Sequence, residues 1–458
     1  MFDCVIKNGR IITAAEDFVA DVAIVGEKIA ALGHGLTGTR EIEAQGLYVI
    51  PGAIDGHVHL QMPIANWHTA DTFAQGTIAA AFGGVTSIVD FVEPLKGQNL
   101  VEALQQRRAL ADDQVVIDYG LHMTLRDSAP EILAQVPAAY EQGCATFKLY
   151  TAYPGLYLAD DELYRALLAV AQVNGLAVIH AENYPVITEI WKRFAAEGKI
   201  QAQWHPHSRP TATEAEAVNR VLSIAHVAGA RALIFHLSCG EAAREVAYAK
   251  ARGWDVFGET CTQYLSLPDD IYERDTMPGT WFICQPPIRG TVQAEKLWQA
   301  LSRGTIDIIS TDHCPFPASL KKEGEDNFML TPGGVAGIET RLALAHTFGV
   351  RAGQLSLNRW VETCCTFPAR LHGMKQKGHL APGYDADIVL FDPHKKVTYT
   401  AEILHSNIEY TPYQGVTVTG VPVTTLSRGE VIVENGEFVG AKGRGRFLKR
   451  TYSEISHV

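Results

Sequence analysis

The sequence has no apolar run long enough to cross a membrane, and its start, "MFDCVIKNGR", shows no signal-peptide pattern. These absences predict a soluble protein that begins at or near Met1 and works in the cytosol. Paired cysteines are missing too: the eight, at positions 4, 144, 239, 261, 284, 314, 364 and 365, are scattered without CxxC spacing and are few for 458 residues. They read as reduced, mostly buried thiols. Basic charge is also in short supply, with 39 Lys and Arg against 51 Asp and Glu and a formal net charge of -12. That argues against non-specific binding of nucleic acid or anionic membranes and leaves small molecules as the expected partners. What is plentiful is apolar surface: 47% hydrophobic residues can bury a large core, and this length predicts one big domain plus a smaller one.

Both ends read as antiparallel sheet. The first fifty residues carry short alternating runs, "DCVIKNGRIIT" and "DVAIVGEKIAALG", with Asn8-Gly9 as a hairpin signal. The last ninety repeat that texture in "DADIVLFDP", "VTVTGVPVTTLSRG" and "EVIVENGEFVG", with Asn435-Gly436 as a second turn. Two half-sheets with apolar faces can cover each other, so residues 1–50 and 376–440 are expected to form one small β-sandwich. Residues 441–458 remain as a tail.

Between them, over 51–375, eight apolar runs alternate with longer helical or mixed segments. They are "AIDGHVH", "VTSIVDF", "VVIDYGLHM", "ATFKLY", "LAVIHAEN", "ALIFHLS", "WDVFGET" and "IDIISTDH". Eight βα units predict a TIM (β/α)8 barrel, although a doubly wound sheet has much the same texture. The polar residues favour the barrel. Several runs end on a side chain able to bind or bridge a metal: His57 and His59, Lys148, His180, His236 and Asp312. Barrel strands converge at their C-terminal ends, so these six residues from five strands would meet in one cavity. Within "GHVHL", residues two apart on a strand project the same way, which sets His57 beside His59 and suits one metal ion. Lys148 is the odd member, because an ammonium would repel divalent ions. Two routes remove its charge: reaction with carbon dioxide to a carbamate that bridges two metals, or use as a Schiff-base nucleophile.

Taken together, "GHVHL", "FKLYTAY", "HAEN", "FHLSC", "STDHCPF" and "GHLAPGYDADIVLFDP" resemble the cyclic amidohydrolases of the dihydropyrimidinase and hydantoinase family, from "IKNGRIIT" to the tail "GRGRFLKR". The resemblance implies a TIM barrel with a β-sandwich from both termini and two zinc ions per subunit, bridged by a carboxylated Lys148 and a hydroxide. It gives His57, His59 and Asp312 to the more buried metal and His180 and His236 to the other. The implied activity is ring opening of 5-substituted hydantoins or dihydropyrimidines to N-carbamoyl amino acids by that hydroxide. Asp312 would carry the proton to the leaving nitrogen, and Tyr153 in "TAYPG" would donate a hydrogen bond to the developing oxyanion. A homotetramer or homodimer with tail contacts is implied as well.

Gln61 stands where dihydroorotase-like relatives carry a carboxylate-binding arginine, which favours an uncharged ring. An allantoinase-like specificity stays open, because "GGVAGIE" (Gly333 to Glu339) resembles that branch. Two positions depart from the common hydantoinase pattern, Gln285 in "CQPPIR" for serine and Gly333 in "TPGG" for asparagine; both are expected to meet the substrate's amide edge. Trp67, Leu95, Leu156 and Tyr157 are expected to line the pocket for the ring substituent. His68, His122, His205, His207 and His313 read as structural, and the basic tail as a solvated or subunit-contact segment. Two other classes compete with the hydrolase: a lyase that works through Lys148, and a non-catalytic scaffold of the same fold.

Overall fold

A computed structural model describes residues 1–64, 67–274 and 276–452. The eight apolar runs of the middle region are the eight strands of one parallel sheet, labelled here β1 (Ala53–Asp55), β2 (Val85–Val92), β3 (Asp118–Thr124), β4 (Thr146–Tyr150), β5 (Leu176–His180), β6 (Arg231–Ile234), β7 (Val256–Cys261) and β8 (Ile308–Ser310). Each pairs with its neighbour in sequence order. A doubly wound sheet reverses its order part-way, so unbroken succession excludes that alternative. The first and last strands meet just past their ends, where Val58 bridges His313 and the His59 N–H donates to the His313 carbonyl at 2.8 Å. The fold is a TIM barrel.

Helices cover the outside for reasons visible in their sequences. Asp160–Gln172 opens on Asp160, Asp161 and Glu162, which complement the helix dipole, and buries Leu163, Ala166, Leu167 and Val170 at helical spacing. Inside, Phe91, Val178, Leu176, Leu233, Phe235, Phe257 and Ile308 form one cluster with Phe367, Leu371 and Tyr452, which come from beyond the barrel. The base of the barrel is thus sealed by the chain that follows it. Arg450 belongs to the same seal: it is buried and donates to the carbonyls of Leu121 and His372 and to Thr146 Oγ1.

The termini build a separate mixed sheet of nine strands, in which Ile388–Thr398 from the C-terminal part runs antiparallel to Tyr48–Pro51 from the N-terminal part. Its own core includes Ile6, Ile11, Val22, Ile24, Val49, Ile388, Leu390 and Leu426. Asn435-Gly436 is a two-residue hairpin turn, with Glu434 opposite Glu437. Asn8-Gly9 is not a turn. It is a bulge inside the strand Phe2–Ile12, with Asn8 at φ 59°, and position 9 takes glycine because the side chain of Val49 packs where a Cβ would lie, 2.2 Å away. An Asn-Gly pair is the same local signal in a bulge, where Asn8 alone takes positive φ, and in a turn, where both Asn435 and Gly436 do. No helix among the described residues is long and apolar enough to cross a membrane.

Candidate metal centre and active site

The six strand-end residues come together at the C-terminal end of the barrel. His57 Nε2 and His59 Nε2 each lie 3.1 Å from the same atom, Asp312 Oδ1. His180 Nδ1 faces His236 Nε2 at 2.9 Å, and the His57 and His236 rings are 5.4 Å apart. Aromatic walls hold these imidazoles in place: His57 stacks on Phe235 with centroids 3.9 Å apart, and His59 on Phe91 at 4.3 Å. Lys148 is buried against the same two rings, with Nζ 4.3 Å from the Phe235 centroid and 5.6 Å from that of Phe91. Burial lowers its amine to about 8, even with Asp312 and Glu259 pulling the other way.

The arrangement concentrates lone pairs. Ligand atoms of His57, His236 and Asp312 lie within 4.8 Å of one another, and the other side of His57 is already engaged, its Nδ1 2.7 Å from Glu259 Oε1. If Nδ1 donates to Glu259, then Nε2 turns a lone pair toward a carboxylate oxygen that also faces His59. His180 and His236 likewise share at most one proton between two facing nitrogens. Either protons or cations must relieve such a set. Burial disfavours charge on His59, His180 and His236 and holds all three below the usual imidazole value. Mixed imidazole and carboxylate donors suit divalent zinc, so the residues fit the metals that the sequence implied.

Asp312 illustrates the electrostatics. Burial alone would raise its carboxyl, but His57 and His59 hold it well below the usual carboxylate range. Tyr153 lies beside the second histidine pair, its ring 4.9 Å from that of His180, and burial pushes its phenol well above the usual value. The phenol therefore stays protonated and able to donate.

Three residues absent from the sequence expectations brace this set. Glu259 fixes His57. Glu182 Oε2 lies 2.8 Å from His180 Nε2 and is itself clamped by buried Arg209. Burial would raise Glu182, but Arg209 and His180 hold it at about 2. The strand-end rule that selected the histidines also contained the signal for Glu259, in "FGETC", and for Glu182, two residues beyond His180.

The remaining predicted residues are more dispersed. Gln285 and Gly333 touch each other, a Cβ on Gly333 lying 1.6 Å from Gln285 Oε1, and the next residue, Gly334, packs on the carbonyl of Cys314. Trp67, in the short strand Trp67–His68 beyond β1, and Leu95, on the loop after β2, stand in solvent, 53% and 71% exposed, and Leu156 and Tyr157 are half-buried after β4. Three of the five histidines read as structural find structural partners, His313 Nε2 with Asp71 at 2.8 Å, His122 with Thr146 and the Gly56 carbonyl, and His205 with the Cys284 carbonyl, while His68 and His207 are exposed.

The model of the amidohydrolase family matches residues 48–432. The chain belongs to that family. A D-hydantoinase of Streptomyces coelicolor is 40% identical over 456 residues, 97% of each chain, and one of Rhizobium radiobacter is 40% identical over 453 residues, 98% of this chain and 99% of its own. Among solved structures, dihydropyrimidinase from Brevibacillus agri superposes with a TM-score of 0.96 at 39% identity, covering 98% of this chain and 99% of its own. An L-hydantoinase from Arthrobacter aurescens gives 0.91 at 31% identity, covering 98% and 99%. The fold and the cyclic-amidohydrolase character expected from the sequence thus stand in its relatives over nearly the full length.

Proposed function

We propose that the protein is a binuclear zinc hydrolase that opens 5-substituted hydantoins or dihydropyrimidines to N-carbamoyl amino acids. The observation that carries this reading is the facing of two donor sets in one cavity, His57, His59 and Asp312 against His180 and His236, with buried Lys148 between their aromatic walls. In this reading His57, His59 and Asp312 would hold one zinc and His180 and His236 the other, and Lys148, as a carbamate, would serve both. An amine lowered to about 8 supports that last step, because only the neutral form adds carbon dioxide. When bound, the metals supply Lewis acidity, which brings the pKa of water from about 15.7 toward roughly 7 and polarises the carbonyl under attack.

The chain's own residues do the rest. Asp312, whose depressed pKa keeps it ionised, accepts the proton of the attacking water and returns it to the departing ring nitrogen. Tyr153 donates its phenolic proton as a hydrogen bond to the carbonyl oxygen as negative charge develops there. Glu259 and Glu182 keep the imidazoles aimed. Trp67, Leu95, Leu156 and Tyr157 supply apolar surface to the ring substituent. Gln61 at the arginine position favours an uncharged ring.

We extend the reading to a homotetramer working in the cytosol. Support for the compartment comes from the eight buried free thiols, which suit a reducing environment.

The test is ring opening of dihydrouracil, hydantoin, a 5-aryl hydantoin, allantoin and dihydroorotate by zinc-loaded protein, with a chelated control. Opening of hydantoins or dihydrouracil that chelation abolishes is the expected result. Turnover of allantoin alone would overturn the substrate assignment, and no turnover by fully metallated protein would overturn the hydrolase.

A further inference from the structure

Glu93, just past the end of β2, carries a carboxylate that neither the metal cluster nor its braces use. The register of the parallel sheet places it. Val92 pairs with Met123 and Thr124 pairs with Lys148, so one step past Val92 brings Glu93 level with Thr124 and Lys148. Side chains alternate along a strand, and Phe91, two residues before Glu93, packs inside the barrel and stacks on His59. Glu93 therefore shares the inward-facing layer of Lys148, and Tyr150, level with His180, stands in the next one. The hydrogen bonds agree: Glu93 Oε1 accepts from Thr124 Oγ1 at 2.9 Å and from the Tyr150 hydroxyl at 3.4 Å. The Tyr150 ring connects this corner to the site, its centroid lying 4.7 Å from Lys148 Nζ, 5.9 Å from that of Tyr153 and 6.1 Å from that of His180.

Two polar atoms in this corner are left over. Glu93 Oε2 is buried and meets no hydrogen-bond partner among the described residues, and the same holds for Nε of Arg126, two residues beyond Thr124. Arg126 is near enough for its charge to pull the Glu93 carboxyl down, as Lys148 does, yet burial outweighs both and raises it, which marks a carboxylate short of donors. Leaving such atoms unpaired costs free energy that a bound partner recovers. Both side chains are only partly buried, so a partner can reach them. Their demands differ, because Oε2 accepts and Nε donates. A cation would suit Glu93 and be repelled by Arg126, and an anion would meet the reverse. A neutral group with an N–H beside a C=O suits both, and a carboxamide or ureido group is of that kind.

We propose that Glu93 and Arg126 form a polar subsite for the ring substituent, selecting substrates whose substituent carries a neutral carboxamide or ureido group. This rests on the ring-opening function proposed above and places a polar floor beneath the apolar surface of Leu95, two residues beyond Glu93. The test compares two racemic substrates of the same shape on zinc-loaded protein, 5-(2-carbamoylethyl)hydantoin and 5-(3-methylbutyl)hydantoin. Their kcat/KM values are read as a ratio, so that any change in zinc loading or in Lys148 cancels. The wild type is expected to favour the carboxamide about tenfold or more, the size of a hydrogen bond to a charged group, and Glu93→Met and Arg126→Met each to bring the ratio to about one. A wild-type ratio of one or below, or a preference that survives both substitutions, would overturn the proposal while leaving the hydrolase intact. So would a stronger preference for 5-(3-aminopropyl)hydantoin, which would mark a cation subsite of Glu93 alone. Melting temperature is read alongside, so that a misfolded variant is recognised. Failure of the wild type to open either ring would instead strike the proposed function, and calorimetric binding of the same two hydantoins would then still report on the subsite: tighter binding of the carboxamide that Glu93→Met abolishes supports it, and equal binding refutes it.

Discussion

Asp312, His236 and Tyr153 hold their backbones at φ 51°, 42° and 73°, a region that residues with a side chain adopt at a cost of about 1–3 kcal/mol. Such conformations persist where surrounding contacts over-determine them, and here they turn strand-end side chains toward one point. The residue types at that point were legible, because strand-end histidines, a lysine and an aspartate form a spaced pattern. Their braces were not, since Glu259 is 202 positions from His57 and is one acid among 51 Asp and Glu. Glu259→Gln tests the brace. Its amide can still occupy the space but no longer holds His57 Nδ1 as an ionised acceptor, so zinc affinity is expected to fall about 10–100-fold. Competition with a chromophoric chelator measures this without reference to turnover, and unchanged affinity would assign Glu259 a packing role only.

Elements were the most legible level. No barrel strand reaches more than one residue beyond its apolar run, because a parallel sheet buried on both faces demands continuous apolar residues and the intervening helices demand a different period. The connections were opaque. Nothing in "CQPPIR" or "TPGG" announces that the two stretches touch, since neither has a repeating pattern and their contact depends on how β8 ends. Lys321 ties that region together, and its environment makes the tie sensitive to pH. Burial lowers its amine from 10.5 to about 7, without a carboxylate among its hydrogen-bond partners. Between those two values the unfolded chain holds a proton that the folded chain has lost, so stability rises with pH, by up to about 1.4 kcal/mol per unit. Below the folded value both states are protonated and the contribution is flat. The urea midpoint of the wild type, taken relative to Lys321→Met, should therefore climb from pH 7 to pH 10 and stay level below it. Parallel curves across that range would mean the amine is charged in the fold.

At the scale of the whole molecule, one buried cation joins parts that the sequence presents as separate. Lys377 Nζ lies 2.6 Å from Asp118 at the foot of β3, 3.0 Å from Asp385 and 2.8 Å from Asp387 on the approach to the terminal sheet. Arg428 extends the network, with Nε 3.2 Å from Asp118 and a further pair to Glu27 in the N-terminal half of the sheet. That the two termini belong together was legible from matching strand texture and apolar faces. How they grip the barrel was not, because ionic contacts carry no periodicity. Replacing Lys377 with methionine leaves three carboxylates without their shared cation, and breaking a buried pair in this way costs about 3–5 kcal/mol. Without the cation Asp385 and Asp387 lose the charge that holds their carboxyls down against burial, so the deficit is present at neutral pH and shrinks as acid protonates them. The network lies at the foot of the strands, away from the histidine cluster at their other end. Folded, zinc-loaded Lys377→Met should therefore melt earlier than the wild type by an amount that narrows from pH 8 to pH 5, while kcat per bound zinc pair stays the same; a constant gap would place the loss in packing, and a fallen kcat would couple the foot of the barrel to the site.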